Sequence, residues 1–120
     1  MPVPSPAVLV VEDETDLREI IQDVLAGEGY RVTCASDGAQ ALDWLAGGLR
    51  PGMVLLDFYM PRLDGWAFLE RMRTELNLGE VPVVAISGSD VSHPSVTAVL
   101  RKPFDITELL ETVQRFTRVP

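Results

Sequence analysis

Two short runs decide most of what this chain can become: AVLVV at residues 7–11 and MVLL at residues 53–56 are apolar at every position. A strand with one wet face alternates apolar and polar side chains, so a run with no polar position must be buried on both sides. The stretches between them carry the other period. Residues 15–28 place Leu17, Ile20, Ile21, Val24 and Leu25 at helical spacing, and Gly27 and Gly29 punctuate the end. Residues 31–35 read as a second strand. Residues 37–46 read as a short helix with Leu42 and Leu45 inward, closed by Gly47 and Gly48. After the strand at 53–57, residues 65–75 put Phe68, Leu69 and Met72 on one side of a helix, and 81–87 is a strand with Pro82 near its start. A short strand at 97–100 and a helix at 106–116 complete the pattern. That helix is built on Ile106, Leu109, Leu110, Val113 and Phe116, and Asp105 or Thr107 is its expected cap. Strands alternating with helices predict an α/β fold, a doubly wound five-stranded parallel sheet covered on both faces.

At 120 residues there is room for one domain. A hydrophobic content of 47% with 23% charge is enough for a core, which excludes a disordered chain. Residues 1–6, MPVPSP, read as a flexible tail and 7–120 as the domain. The start has neither a basic nor an apolar leader segment, and no apolar run approaches membrane length. The single cysteine, Cys34, rules out an internal disulfide, so a cytoplasmic location is expected. Ten Lys+Arg against 18 Asp+Glu leave a net charge of −8. That balance argues against direct contact with nucleic acid and suits a cationic partner or a divalent metal. Lys102 is the only lysine; every other basic residue is arginine.

Open parallel sheets bind ligands beyond the carboxyl ends of their strands. Glu12 and Asp13 directly follow the first predicted strand, Asp57 ends the third, Ser87 ends the fourth and Lys102 follows the fifth. Three carboxylates, a hydroxyl and an ammonium thus converge on one edge. Clustered carboxylates stay ionised only beside a cation, and an all-oxygen donor set suits Mg²⁺. Such a metal, with Lys102 and Ser87 beside it, would hold three oxygens of a phosphoryl group, and a carboxylate can be the nucleophile.

Four segments in this order, VVEDE at 10–14, LLDFYMPRLDG at 55–65, ISG at 86–88 and RKPF at 101–104, resemble the response regulator receiver domain over about residues 7–118. The resemblance implies a flavodoxin-like sheet of strand order 2-1-3-4-5 and a phosphorylation-controlled switch in two-component signalling. It implies Asp57 as phosphoacceptor, with Lys102 and Ser87 completing the catalytic set. Asp13 and Asp57 would bind Mg²⁺ directly with the backbone carbonyl of Tyr59, and Glu12 would act through a metal-bound water. Ser87 would hydrogen-bond a phosphoryl oxygen, and Lys102 would pair with the carboxylate and then the phosphate. Pro103 would follow a cis peptide, Gly88 would leave the phosphoryl group access, and Asp64–Gly65 would be the turn opening the third helix. The implied donor is a histidine kinase or phosphotransfer protein, and a further, unnamed protein reads the state. On this reading the domain catalyses only its own phosphorylation and dephosphorylation and turns over no external substrate.

The pattern breaks in one place. Only 15 positions separate Ser87 from Lys102, an interval that in the family usually carries a full fourth helix. Returning along a five-residue strand takes ~16 Å, and nine extended residues, 88–96, reach ~30 Å. The crossing closes as a loop with at most one helical turn, so the fourth helix is expected shortened or absent. Three residues before Lys102, where the family commonly has an aromatic that moves on activation, stands Val99. The usual readout over strand 5 and its flanking helices is therefore expected to be altered, with helix 1 and the loops after strands 1 and 3 as candidates.

Other features read blandly. Glu14 and Asp16 are first-turn acids suited to a helix dipole, Trp44 covers an apolar edge, Trp66 is partly exposed, Cys34 is a small buried hydrophobe and His93 is solvated. The rival function is a pseudo-receiver, a phosphorylation-independent interaction module, which the missing helix and Val99 favour and the complete acid–Ser–Lys set disfavours. An aspartyl-nucleophile phosphatase would need a second acid two residues after Asp57, where Tyr59 stands. A flavodoxin would need a Ser/Thr-rich phosphate loop after strand 1.

Overall fold

A computed structural model describes residues 7–59 and 65–117. The tail expected at residues 1–6 and the Asp64 side of the expected turn lie outside them. The chain forms β1 (Ala7–Val11), α1 (Thr15–Gly27), β2 (Arg31–Ala35), α2 (Gly38–Ala46), β3 (Met53–Asp57), α3 (Gly65–Thr74), β4 (Val83–Ser87), β5 (Ala98–Arg101) and α4 (Ile106–Thr117). The five strands are parallel in the order β2-β1-β3-β4-β5, the order expected.

The apolar runs are central for the reason that made them legible. β1 pairs with both β2 and β3, so its Val8, Leu9, Val10 and Val11 have no wet side and are all buried. One face of the sheet, with Val8, Val10, Leu55 and Ile86, packs on Ile21 and Leu25 of α1 and on Leu109 and Val113 of α4. The other, with Leu9, Val54, Leu56 and Ala85, packs on Leu42 and Leu45 of α2 and on Phe68, Leu69 and Met72 of α3. Side-chain alternation along each strand sorts the two sets. Asp37 caps α2 by accepting from the Gln40 N–H at 2.8 Å, and Asp105, rather than Thr107, caps α4 by accepting from the Glu108 N–H at 2.8 Å.

Several boundaries move inward. β4 begins at Val83, not at residue 81, because Pro82 has no N–H for the ladder and its carbonyl is what pairs, accepting from Val54 N–H. Between β4 and β5 residues 88–97 contain no helix, only a turn at residues 94–95 closed by the Val96 N–H on the His93 carbonyl. In place of a helix, Val91 and Val96 from this loop and Val99 from β5 cover the α2/α3 side of the sheet. Two residues lie otherwise than expected. Cys34 is only partly buried, since β2 is an edge strand. His93 is partly buried, not solvated: its ring lies against Trp66 and its Nδ1 accepts the Ser95 N–H.

Candidate functional site

The order β2-β1-β3 means that the connections after β1 and β3 leave the sheet in opposite directions, and the crevice between their carboxyl ends is where a ligand fits. Val11 pairs with Leu56 across that crevice, so Glu12, Asp13 and Asp57 meet at its mouth. One carboxylate oxygen from each of the three lies within 4.8 Å of the others. Glu12 is fully buried, Asp57 is 6% exposed and Ser87 is buried at the end of β4, whereas Asp13 faces solvent.

Each side chain is anchored by backbone. Glu12 N–H donates to the Ala35 carbonyl at 3.1 Å, which extends the β1–β2 ladder one residue past the strand. The Glu12 carbonyl accepts from Arg18 Nη1 of α1 at 2.9 Å, and its Oε2 accepts from the Glu14 N–H at 3.2 Å. Asp57 Oδ1 accepts from the Tyr59 N–H at 3.2 Å. Lys102 is hung on β4 by its N–H to the Ser87 carbonyl at 2.8 Å, and the Lys102–Pro103 peptide is cis. The Lys102 ammonium then lies 3.2 Å from Glu12 Oε1 and 3.7 Å from Asp57 Oδ2. Ser87 Oγ accepts the Ser89 N–H at 3.1 Å and sits 3.3 Å from Ser89 Oγ.

The electrostatics follow from burial. Burial, reinforced by the hydrogen bond and like charge of Asp57, raises the Glu12 carboxyl from 4.5 to about 7, against the pull of the Glu14 N–H and Lys102. Burial likewise raises Asp57, opposed by Glu12, the Tyr59 N–H and Lys102. Burial alone would lower Lys102, but Glu12 and Asp57 outweigh it and hold the ammonium above its ordinary value. One ammonium thus faces two buried carboxylates that cannot both ionise cheaply. Glu12 Oε1 shows the deficit: it is buried, and its contact with Lys102 supplies charge without hydrogen-bond geometry. A hard divalent cation with oxygen preference fits that deficit, and the exposed Asp13 gives it an entrance.

The structure thus brings together Glu12, Asp13, Asp57 and Lys102. Ser87 stands beside them on the neighbouring strand, its hydroxyl turned to Ser89, and Tyr59 contributes its N–H to Asp57 while its ring is 60% exposed. A Cβ at Gly88 would meet nothing within 4 Å, so no packing demand accounts for that glycine. At Gly65 the case is opposite: a Cβ would sit 2.6 Å from the buried Phe58 ring, so α3 can start this close to Asp57 only with glycine there. Arg18, Ser89 and the Phe58–Trp66–His93 ring contacts, at 5.5 and 4.7 Å between centroids, carry no motif and were not readable beforehand. Ser89 alone had a weak signal, a serine two residues beyond another at a strand end.

A doubly wound sheet with three acids and a lysine at its carboxyl edge defines a class, the α/β proteins of flavodoxin-like strand order with an acidic site where the sheet reverses. Within it, the profile of the response regulator receiver domain matches residues 8–114, and the chain belongs to that family. It is 36% identical over 117 residues to the transcriptional regulatory protein DltR of Streptococcus agalactiae, covering 92% of this chain and 51% of that protein. It is 34% identical over 118 residues to the response regulator MprA of a Mycobacterium species, covering 92% and 50%. The chain therefore spans about half the length of these relatives. Among solved structures, the chemotaxis protein CheY4 of Vibrio cholerae superposes with a TM-score of 0.82 at 28% identity, covering 93% of this chain and 98% of that one. The receiver domain of the sensor histidine kinase PA1611 of Pseudomonas aeruginosa gives 0.84 at 29% identity, covering 96% and 99%, and is described with a magnesium ion coordinated in its active site cleft.

Proposed function

We propose that this receiver domain accepts a phosphoryl group on Asp57 and signals by a change in partner binding. The observation that carries the reading is the Lys102 ammonium set between two buried carboxylates, 3.2 Å from Glu12 and 3.7 Å from Asp57, with Asp13 at the mouth. Asp57 Oδ attacks the phosphorus of the donor, the bond from phosphorus to the donor nitrogen or oxygen breaks, and the leaving group takes up a proton. Lys102 neutralises the charge that the equatorial oxygens carry through the transfer. The buried hydroxyl of Ser87 donates to one of those oxygens, and the Tyr59 N–H holds the acceptor carboxylate in orientation. Asp13, Asp57 and the Tyr59 carbonyl would hold a magnesium ion, with Glu12 acting through a metal-bound water, and such an ion would supply the remaining charge neutralisation.

The donor on this reading is the phosphohistidine of a kinase or phosphotransfer protein, and Asp57 is regenerated by hydrolysis in the same pocket. Catalysis is confined to the domain's own phosphorylation state. The net charge of −8 points to a protein partner, not nucleic acid, for this chain. Among the described residues no helix is long and apolar enough to cross a membrane, and the cytoplasm, where such donors work, is the proposed setting.

The test is an intact mass after incubation with Mg²⁺ and acetyl phosphate. One added phosphoryl group, absent in Asp57→Asn, is expected. No gain, joined to no measurable Mg²⁺ binding, would replace this reading by the phosphorylation-independent module.

A further inference from the structure

α2 and α4 each begin under a capping carboxylate, Asp37 and Asp105. α1 begins at Thr15 without one: its N-cap, Glu14, makes no side-chain capping bond. The uncapped start is the one that directly follows the pocket acids Glu12 and Asp13. Here the tie comes from inside the helix. Arg18 reaches back from the first turn, its Nη1 donating to the Glu12 carbonyl at 2.9 Å and its Nη2 to Thr15 Oγ1 at 3.5 Å. Its own N–H donates to the Glu14 carbonyl at 2.9 Å. One arginine thus fastens the turn from Glu12 to Thr15 onto α1.

The Glu12 carbonyl belongs to the Glu12–Asp13 peptide, so fixing it fixes the plane from which Asp13 departs. Asp13 needs this more than the other acids do. Glu12 and Asp57 are buried, and the walls around them limit where they point. Asp13 is exposed, so packing does not aim it, yet its carboxylate comes within 4.8 Å of those of Glu12 and Asp57. We propose that Arg18 is a positioning residue for the divalent-cation site, holding the Glu12 carbonyl so that Asp13 points across the mouth of the pocket. This deepens the reading of the site given above and rests on it. The charge of Arg18 works in the other direction, because a guanidinium beside the acids repels a second cation. Were charge its whole effect, removing Arg18 would tighten metal binding; as a positioning residue, its removal weakens it. The sign of the change separates the two roles.

The test titrates Mg²⁺ into the isotope-labelled full chain and reads the dissociation constant from amide shifts. Arg18→Met keeps an apolar stem and is expected to weaken Mg²⁺ about tenfold, the low end of the loss for an outer partner of a metal ligand. Arg18→Lys keeps the charge and a donor for the carbonyl, and should return to within about threefold of the parent. Arg18→Gln carries the same test where Arg18→Met does not fold. In metal-free protein, amide exchange over residues 13–16 should quicken several-fold in Arg18→Met while β1 keeps its protection. Phosphorylation by acetyl phosphate, read by intact mass, should reach the parent level once Mg²⁺ is raised to saturate the variant; a deficit that persists there overturns a role confined to holding the metal. A variant that binds Mg²⁺ as tightly as the parent, or more tightly, overturns the positioning role and leaves the cation site standing. A parent that binds Mg²⁺ no better than Asp13→Asn overturns the cation reading of the site, and this inference with it.

Discussion

The two links that close the sheet on its β3–β5 side are built in opposite ways. The connection from β5 to α4 is short and capped by Asp105, and α4 drives Leu109 and Val113 into the core. The connection from β4 to β5 crosses without a helix and covers the same sheet, on the other face, with half-buried Val91 and Val96. Both deliver a residue to the same pocket, Lys102 after β5 and Ser87 before the loop. The difference teaches that placing the groups of the acid–lysine pocket needs only the strands, whereas covering the sheet beside them is a separate problem with more than one solution. A rigid helix and a pinned loop serve equally for position and unequally for motion.

The sharpest way to break the comparison is at the pocket that both links serve. Lys102→Ala removes the cation facing Glu12 and Asp57, and the rate of phosphorylation by acetyl phosphate should fall at least about a hundredfold, the usual loss for one charge-stabilising donor. An unchanged rate by time-resolved mass spectrometry would show that the lysine serves the resting acids and not the transfer.

The covering contacts come next, read by denaturant unfolding. Leu109→Ala in α4 should cost about 2–5 kcal/mol, the range for a buried leucine that leaves a cavity, and Val91→Ala in the loop less than about 1 kcal/mol. Equal losses would mean that the loop is as deeply packed as the helix. Gly65→Ala sharpens the same point near Asp57. Its new Cβ would meet the Phe58 ring at 2.6 Å, and a cost of about 1–3 kcal/mol is expected from overpacking.

That contrast also marks what could be read in advance. AVLVV and MVLL declared central strands because no polar position was left for a wet face, and the pocket followed from where those runs stop, while the strand order came from the resemblance to the receiver family. The crossing without a helix was legible from its length, too short for a helix and long enough to close. What was not legible depends on tertiary approach: Gly65 is needed by the Phe58 ring, Arg18 finds the Glu12 carbonyl from the next turn of α1, and His93 is drawn out of solvent by Trp66. None of these has a sequence period, because each joins residues whose neighbourhood exists only after the sheet has formed.

The pocket has a pH signature of known sign. Glu12 is raised from 4.5 to about 7 by burial first and by Asp57 second. A raised acid binds its proton more tightly folded than unfolded, so its stabilisation is complete below about pH 4.5 and is lost as pH rises through about 7. Without divalent metal, stability relative to Glu12→Gln should therefore drop by on the order of 2 kcal/mol between pH 5 and 8. Added Mg²⁺ should restore more at pH 8 than at pH 6, since it binds the ionised acids. A flat difference between the two proteins across this range would show that Glu12 is ionised throughout.

The smallest effect belongs to the loop. Arg101→Ala removes the ties to the Gly88 carbonyl and to Asp90, whose side chain is 96% exposed. An exposed pair contributes little to global stability, so the unfolding midpoint should stay within error of the parent. The local consequence is larger than the global one, because residues 88–97 have few other hydrogen bonds to hold them. Amide exchange over residues 88–92 should quicken several-fold while β4 and β5 keep their protection. Exchange quickened along all of β5 would mean instead that the tie supports the strand, and the separation between a rigid pocket and a movable cover would fail at its hinge.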